Sequence, residues 1–525
     1  MRRRPDVLRV HDKRPVRLRA RFRAGHGLVA AGIFLASDLS AADAEDVLAL
    51  PARAPDGLTV QGQVRARAEE IGGQFRPDAA EEDLMLSLRT TIQVEYDGGH
   101  WQVGGELWDS RAYGESADSS AGTGEVDALA LVQAYVGFDL GGQADTHVTI
   151  GRFTMNLGSR RLVARQSFRN TTNAFTGVNL QWSGPDGDQV ALLWAMPQIR
   201  LPDDSEDIRD NAVRRDKETS DLQFYGGSLT KTGVLGGSLQ IYGFGLSERD
   251  SAERPTRNRH IFTPGLRAHR SPNQGQLDYD VEGAYQFGRS RATSAPTDLT
   301  DLNVSAYFIH AEAGRTFDHG WTPRVSIDFD LASGDGASTK AYNRFDTLFG
   351  ARRFDFGPTG LYGAVGRFNM ISGGARVEVK PDTRSDVMMM YRALWLHSRT
   401  DSFSNTGVRD VTGNSGRFAG NQFEARYRRT LIPGRLRLDI GMAYLDKGHF
   451  LKAAPNAPQP ATPDTGMSIS ISNSESSRTL SSDQQSRSDY AAAAWNGWKH
   501  SGCSVISLIT ISVAAGDLPG TIVNR

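Results

Sequence analysis

From Leu58 onward, apolar and polar side chains take turns along the chain over successive runs of about ten residues. In 84–96, Leu84, Leu86, Leu88, Thr90, Ile92, Val94 and Tyr96 share one parity, and Met85, Ser87, Arg89, Thr91, Gln93 and Glu95 share the other. Successive strand side chains point to opposite faces, so this segment predicts a strand with one apolar and one polar face. The pattern recurs. Leu277, Tyr279, Val281, Tyr285 and Phe287 oppose Asp278, Asp280, Glu282 and Gln286; Val325, Ile327, Phe329 and Leu331 oppose Arg324, Ser326, Asp328 and Asp330. Leu436, Leu438, Ile440, Met442 and Tyr444 oppose Arg435, Arg437 and Asp439, and 58–68 places Gln61, Gln63, Arg65 and Arg67 on its polar side.

Read this way, the chain holds 17 strands: 58–70, 84–96, 100–111, 129–140, 146–155, 175–183, 188–197, 220–230, 235–246, 258–269, 276–288, 303–316, 320–332, 366–380, 385–397, 418–430 and 434–447. One such strand fits a soluble sandwich as well as a membrane wall. The connections separate the two. Short Gly-, Asp- or Pro-rich turns (97–99, 141–142, 185–187, 318–320, 380–382, 432–434) alternate with long polar loops (112–128, 156–174, 198–219, 333–365, 398–417). That sorting belongs to an up-and-down outer-membrane barrel, with turns in the periplasm and loops outside. The expected fold class is therefore all-β: a transmembrane antiparallel barrel in the bacterial outer membrane.

Such barrels have even strand numbers, and an unclosed edge leaves backbone groups unpaired in lipid. An eighteenth strand is needed after Lys447. There the sequence turns Pro- and Ala-rich from Ala453 and Ser-rich from Met467 to Ser488. Met467–Ile471 alternates but is short; Ser504–Ala515 is long enough but alternates only in part. The expected division is a barrel over 45–452 and a low-complexity or aberrant tail over 453–525. That tail either holds a divergent closing strand or is not the natural end, as a frameshift would produce; the second reading is preferred.

Composition removes other classes. Mean hydropathy is −0.42, and the longest apolar run, 28–36, is about half the roughly 20 residues of a spanning helix. Cys503 is the only cysteine, which excludes a disulfide-built fold and a zinc ribbon. Residues 1–26 are basic, 27–36 apolar, and small residues lead to Ala42-Asp43-Ala44. This order reads as a secretory signal peptide over 1–44, cleaved after Ala44; a basic tail running into a buried helix is the alternative. Residues 1–44 carry ten of the 60 Lys/Arg and four of the 61 Asp/Glu, which leaves 50 and 57 and a net charge of −7. That is no nucleic-acid binder's balance.

Several segments resemble the alginate export family of outer-membrane porins. They are Gly151-Arg152-Phe153 with Gly158–Val163, Phe168-Arg169-Asn170-Thr171 with Ala174–Val178, Val281–Gly288, Pro323-Arg324 with Ala332–Asp335, Arg344–Phe349, and Asp446–Leu451. Together they span about 58–452. The resemblance implies an 18-stranded barrel that passes an anionic uronate polysaccharide outward through an arginine-lined constriction, with Arg89, Arg152 and Arg324 in matching strand positions. It implies outer-membrane lipid and lipopolysaccharide around the wall and periplasmic secretion partners. The family's last strand, with its terminal aromatic residue, is missing here.

Guanidinium suits a polyanion path, because it stays charged and grips carboxylate with a planar fork. By parity Arg65, Arg67, Arg89, Arg324, Arg426, Arg428, Arg435 and Arg437 face the lumen; Arg161 joins the candidate set from its motif. Arg152 shares parity with Val148 and Ile150 and faces inward only if Gly151 marks a bulge. For each arginine the plain alternative is a wall residue paired with an acid, and Asp278, Asp280, Glu282, Asp328 and Asp330 face the same lumen. Asp328, Asp330 and Asp335 carry oxygen ligands suited to calcium, but without EF-hand spacing a solvated loop is the better reading. Tyr96, Trp101, Tyr285, Phe287, Tyr391, Trp395 and Tyr444 are expected as interfacial girdles. No HExxH, GxSxG, P-loop or Rossmann fingerprint is present, so neither an enzyme nor a cofactor is expected; a barrel hydrolase with a Ser–His pair assembled across strands is the alternative of another class. A general or small-anion uptake porin is the alternative function.

Overall fold

The computed structural model describes residues 56–141, 145–336, 340–357, 360–459, 463–473 and 476–479. The expected signal peptide at 1–44, Cys503 and the stretch 504–515 lie outside them. Eighteen strands form one closed antiparallel barrel. They are β1 (Leu58–Gly72), β2 (Glu82–Asp97), β3 (Trp101–Tyr113), β4 (Asp127–Asp139), β5 (Asp145–Phe153), β6 (Phe175–Ser183), β7 (Gln189–Pro197), β8 (Leu222–Val234) and β9 (Gly237–Glu248). The second half is β10 (His260–Arg270), β11 (Leu277–Ser290), β12 (Leu302–Thr316), β13 (Arg324–Ala332), β14 (Met370–Asp382), β15 (Ser385–Trp395), β16 (Phe418–Ile432), β17 (Leu436–Lys447) and β18 (Asp464–Asn473). Each pairs with the next. Two short strands add to the wall: Ala341–Tyr342 runs parallel to β12, and Ser476–Thr479 lies along the start of β1.

All 17 strands expected from alternation are present. Of the two readings of the tail, the structure takes the divergent closing strand, which was not the preferred one. β18 pairs with β17 (Ile440↔Ile469) and with β1 (Ala68↔Ile469), so the closing strand lies inside the segment read as aberrant, and the barrel extends to Asn473 rather than ending at 452. A tilted membrane strand needs only about 9–11 residues. Within those ten positions Met467, Ile469 and Ile471 face out while Ser468 and Ser470 face in. Lys447 anchors the seam: its Nζ lies 3.1 Å from Asp464 and donates to the carbonyls of Gly73 (2.8 Å) and Gln74 (3.1 Å).

The two faces invert the arrangement of a soluble protein. Leu84, Ile92, Leu107, Leu192, Ile241, Ile327 and Met389 are exposed, whereas Arg65, Arg67, Arg89, Arg392 and Glu282 are buried. Lipid is the solvent of the first set, and the second set lines a filled lumen. The expected girdle residues Trp101, Tyr285, Phe287, Tyr391, Trp395 and Tyr444 all face outward.

Loop 333–369 dips into the barrel. Phe349 at its middle packs edge-on against Phe175 of β6 (5.3 Å between centroids) and Phe224 of β8 (5.1 Å). The inner wall is apolar at that height, so burying the loop's aromatic residues there draws the segment inward.

Candidate pore constriction

Loop 154–174 also enters the lumen, and the two long loops bind each other through their backbones. Ala164 N–H donates to Phe349 O (3.1 Å), Phe349 N–H to Leu162 O (2.9 Å) and Ala351 N–H to Arg160 O (2.9 Å). Where they touch, a Cβ on Gly350 would stand 1.7 Å from the Arg161 carbonyl, so only glycine fits. Asn170 pins the loop to the wall: its amide donates to the carbonyls of Leu88 (3.2 Å), Arg111 (3.1 Å) and Glu125 (2.8 Å).

The carbonyls at the tip of loop 154–174 turn toward the strand arginines. Arg65 donates to Ser167 O (3.0 Å), Phe168 O (2.8 Å) and Arg169 O (3.1 Å). Arg89 donates to Ser167 O (2.9 Å), Arg169 O (3.1 Å) and Gln63 Oε1 (2.7 Å) and stacks over Trp108. Arg67 pairs with Glu69 at 2.9 Å and lies 4.5 Å from the Phe168 ring centroid; Arg353, from loop 333–369, lies 3.4 Å from the same centroid. Arg353 reaches Asp439 at 3.2 Å, Arg426 and Arg428 share Asp386 at 3.3 Å, and Arg437 lies 3.8 Å from Asp439. Five guanidinium groups, those of Arg67, Arg353, Arg426, Arg428 and Arg437, thus share three carboxylates, Glu69, Asp386 and Asp439, and Arg65 and Arg89 stand beside them on loop carbonyls. Burial pushes Arg353 down to about 9; Asp439 opposes this, while Arg426, Arg428 and Arg67 add to it. It remains cationic at neutral pH.

On the other side of the barrel the charges balance. Arg324 faces inward as predicted but meets Asp278, Glu312 and Glu378. Arg161 bridges Asp280 (3.0 Å) and Glu282 (2.8 Å) of β11 to Asp355 (3.0 Å) of loop 333–369. Burial works against the Arg161 charge, yet Asp280 and Glu282 outweigh it and hold the guanidinium above its ordinary value. Arg392 meets Glu424 (3.0 Å), Asp328 (3.4 Å) and Asp330 (3.9 Å), and His310 bonds Asp330 at 2.7 Å. All five lumen acids named from parity are therefore ion-paired wall residues.

Arg152 is a correction. β5 pairs without interruption with β4 (Ala134↔Arg152) and β6 (Arg152↔Thr176), so Gly151 makes no bulge and Arg152 keeps the outward parity of Ile150. It pairs with Glu218 and donates to Leu131 O at 2.7 Å. The three aspartates weighed for calcium do not converge: Asp335 accepts from Asn343 N–H while Asp328 and Asp330 serve Arg392. No cluster of metal-ligating side chains occurs among the described residues. Parity missed Arg353, because it governs strands and says nothing of which loop folds inward; the pair Arg352-Arg353 in a long loop was the one signal available.

A closed 18-stranded barrel with a lipid-facing apolar wall and charged loops folded into its lumen defines an outer-membrane channel of the bacterial type. Residues 56–462 match the family described as alginate export, and the chain belongs to that family. Among solved structures it is similar to OccAB4 of Acinetobacter baumannii (11% identity, TM-score 0.51, 82% of this chain and 100% of that one). It is also similar to OccAB1 of the same organism (12%, TM-score 0.50, 80% and 96%). OccK11 (OpdR) of Pseudomonas aeruginosa aligns with 12% identity, a TM-score of 0.48 and coverage of 80% and 96%. At such identities the likeness is one of fold. No curated protein sequence matches significantly.

Proposed function

We propose that this channel passes an anionic polysaccharide of the uronate class, alginate or a close relative. The observation that carries this reading is the excess of guanidinium over carboxylate around Phe168 and Arg353. A polyanion entering a narrow lumen gives up hydration and counterions, and a ring of fixed arginines replaces them. Carboxylates spaced along the polymer pass from one guanidinium to the next, while the paired acids opposite keep any one contact from becoming a trap. The alternative, a small-anion porin, draws on the same charge and is favoured by the two loops that meet across the lumen.

Planar-bilayer conductance in a salt gradient, with and without oligouronate, separates the two. Anion-selective channels blocked by micromolar oligouronate are expected. Anion-selective channels that ignore the oligomer transfer the assignment to small solutes, and cation selectivity overturns both.

A further inference from the structure

On the outer wall, at the end away from the short turns, β12 and the loops 333–369 and 396–417 enclose a recess of about 490 Å³. Ser305, Tyr307, His397, Arg399, Thr400 and Arg417 line it. It opens to the lipid side: Ser305 and Tyr307 share the exposed parity of Ile309, opposite buried Val304, Ala306 and Phe308. The turn 317–323 lies at the other end of β12, so the recess sits at the extracellular rim, level with the outer-leaflet headgroups.

The recess is built. Gly334 N–H donates to His397 Nδ1 (3.2 Å), which leaves the imidazole proton on Nε2, 3.0 Å from the Tyr307 hydroxyl. The Tyr285 hydroxyl lies 2.9 Å from Ser305 Oγ, and Arg409 Nε donates to Thr400 O at 2.8 Å. Of the nearest acids, Asp401 is taken by Arg344 at 2.8 Å and Asp335 by Asn343 N–H at 3.0 Å. Arg399 and Arg417 are exposed and enter no ion pair among the described residues. Two unmatched guanidinium groups beside hydroxyl donors, at headgroup level, form a site for a tetrahedral oxyanion.

We infer that this recess binds a phosphate of an anionic glycolipid headgroup of the outer leaflet, held by Arg399 and Arg417 with the Ser305 and Thr400 hydroxyls. The lipid is favoured over free phosphate because the opening faces the bilayer and the exposed aromatic Tyr285 reaches its Ser305 at 2.9 Å.

The test is native mass spectrometry of the refolded full chain in detergent, titrated with bisphosphorylated lipid A and with the same lipid dephosphorylated. Wild type is expected to hold the phosphorylated lipid about tenfold more tightly, and Arg399→Ala/Arg417→Ala to lose that preference while keeping heat-modifiable mobility and unit conductance. Equal binding of both lipids by wild type overturns the proposal without recourse to a variant, as does an unchanged preference in the folded double variant. Displacement of the lipid by millimolar inorganic phosphate overturns the headgroup as the source.

Discussion

The Arg353 guanidinium lies 3.4 Å over the ring of Phe168. The contact joins the tips of the two long loops that fold into the barrel, and Arg67 covers the ring from within 4.5 Å as well. An aromatic face holds a cation without neutralising it, unlike a carboxylate. Phe168 thus adds to the positioning of two guanidinium groups, one paired with Glu69 and the other sharing Asp439 with Arg428 and Arg437.

Selectivity should follow the guanidinium groups that share acids rather than those that are surrounded by them. Arg353→Met/Arg428→Met removes two cations around one carboxylate, Asp439. The anion-to-cation permeability ratio is expected to fall about threefold or more, read as a reversal potential in a salt gradient, with heat-modifiable mobility unchanged. An unchanged reversal potential refutes the assignment. Arg324→Gln should act differently: it strands Asp278 and Glu378, leaves Glu312 to Arg376 alone, and lowers the stability of the wall along with its selectivity.

Arg161 is the clamp of the constriction. Its guanidinium ties two acids of β11 to Asp355 of the loop that carries Arg353. Removing one partner from a buried ion network costs about 3–5 kcal/mol, because the acids stay buried. Asp280 retains Arg267 and Asp355 retains Arg367, so the lower end of that range is expected for Arg161→Leu. Single-channel records should show larger and noisier conductance as loops 154–174 and 333–369 loosen. Quiet channels of wild-type conductance would show that the backbone bonds between Leu162 and Phe349 suffice alone.

The barrel was legible in the sequence because period-two alternation is imposed on every strand by lipid on one side and a polar lumen on the other. Leu84–Tyr96 displays it completely. It failed at β18, where only Met467, Ile469 and Ile471 carry the signal and the surrounding Pro, Ala and Ser hide it. Parity alone put Arg65 and Arg67 on the lumen side, and for Arg89 parity and the family likeness agreed. Arg152 was misplaced because a family likeness was weighed against parity, and parity held. Arg353 and Phe168 lay beyond reach, since their meeting depends on where Phe349 and Asn170 anchor the loops.

Closure by β18 sets a sharp boundary for truncation. Removing 480–525 leaves every strand pair among the described residues intact and should preserve heat-modifiable mobility and channel formation. Removing 464–525 exposes the edges of β1 and β17, whose backbone groups find no partner in lipid, and should abolish both. A barrel that survives the longer deletion would mean that β1 and β17 pair directly.

Loop 198–221 should tighten in mild acid. Burial pushes the Asp216 carboxyl up to about 6, against the Leu201 N–H that donates to it at 2.9 Å and against Arg200 and Arg152, while Glu218 adds to the rise. An acid whose pKa is raised on folding costs nothing while both states hold the proton. The cost sets in as pH climbs above the ordinary 3.8 and is complete above about 6. Amide hydrogen exchange across 198–221, corrected for intrinsic rates, is expected to be several-fold slower at pH 4 than at pH 8 in wild type. Asp216→Asn keeps an oxygen for Leu201 N–H and cannot ionise, so its exchange should be slow at both values. Identical pH profiles for the two proteins would show that Asp216 ionises without cost and that the loop is held by other contacts.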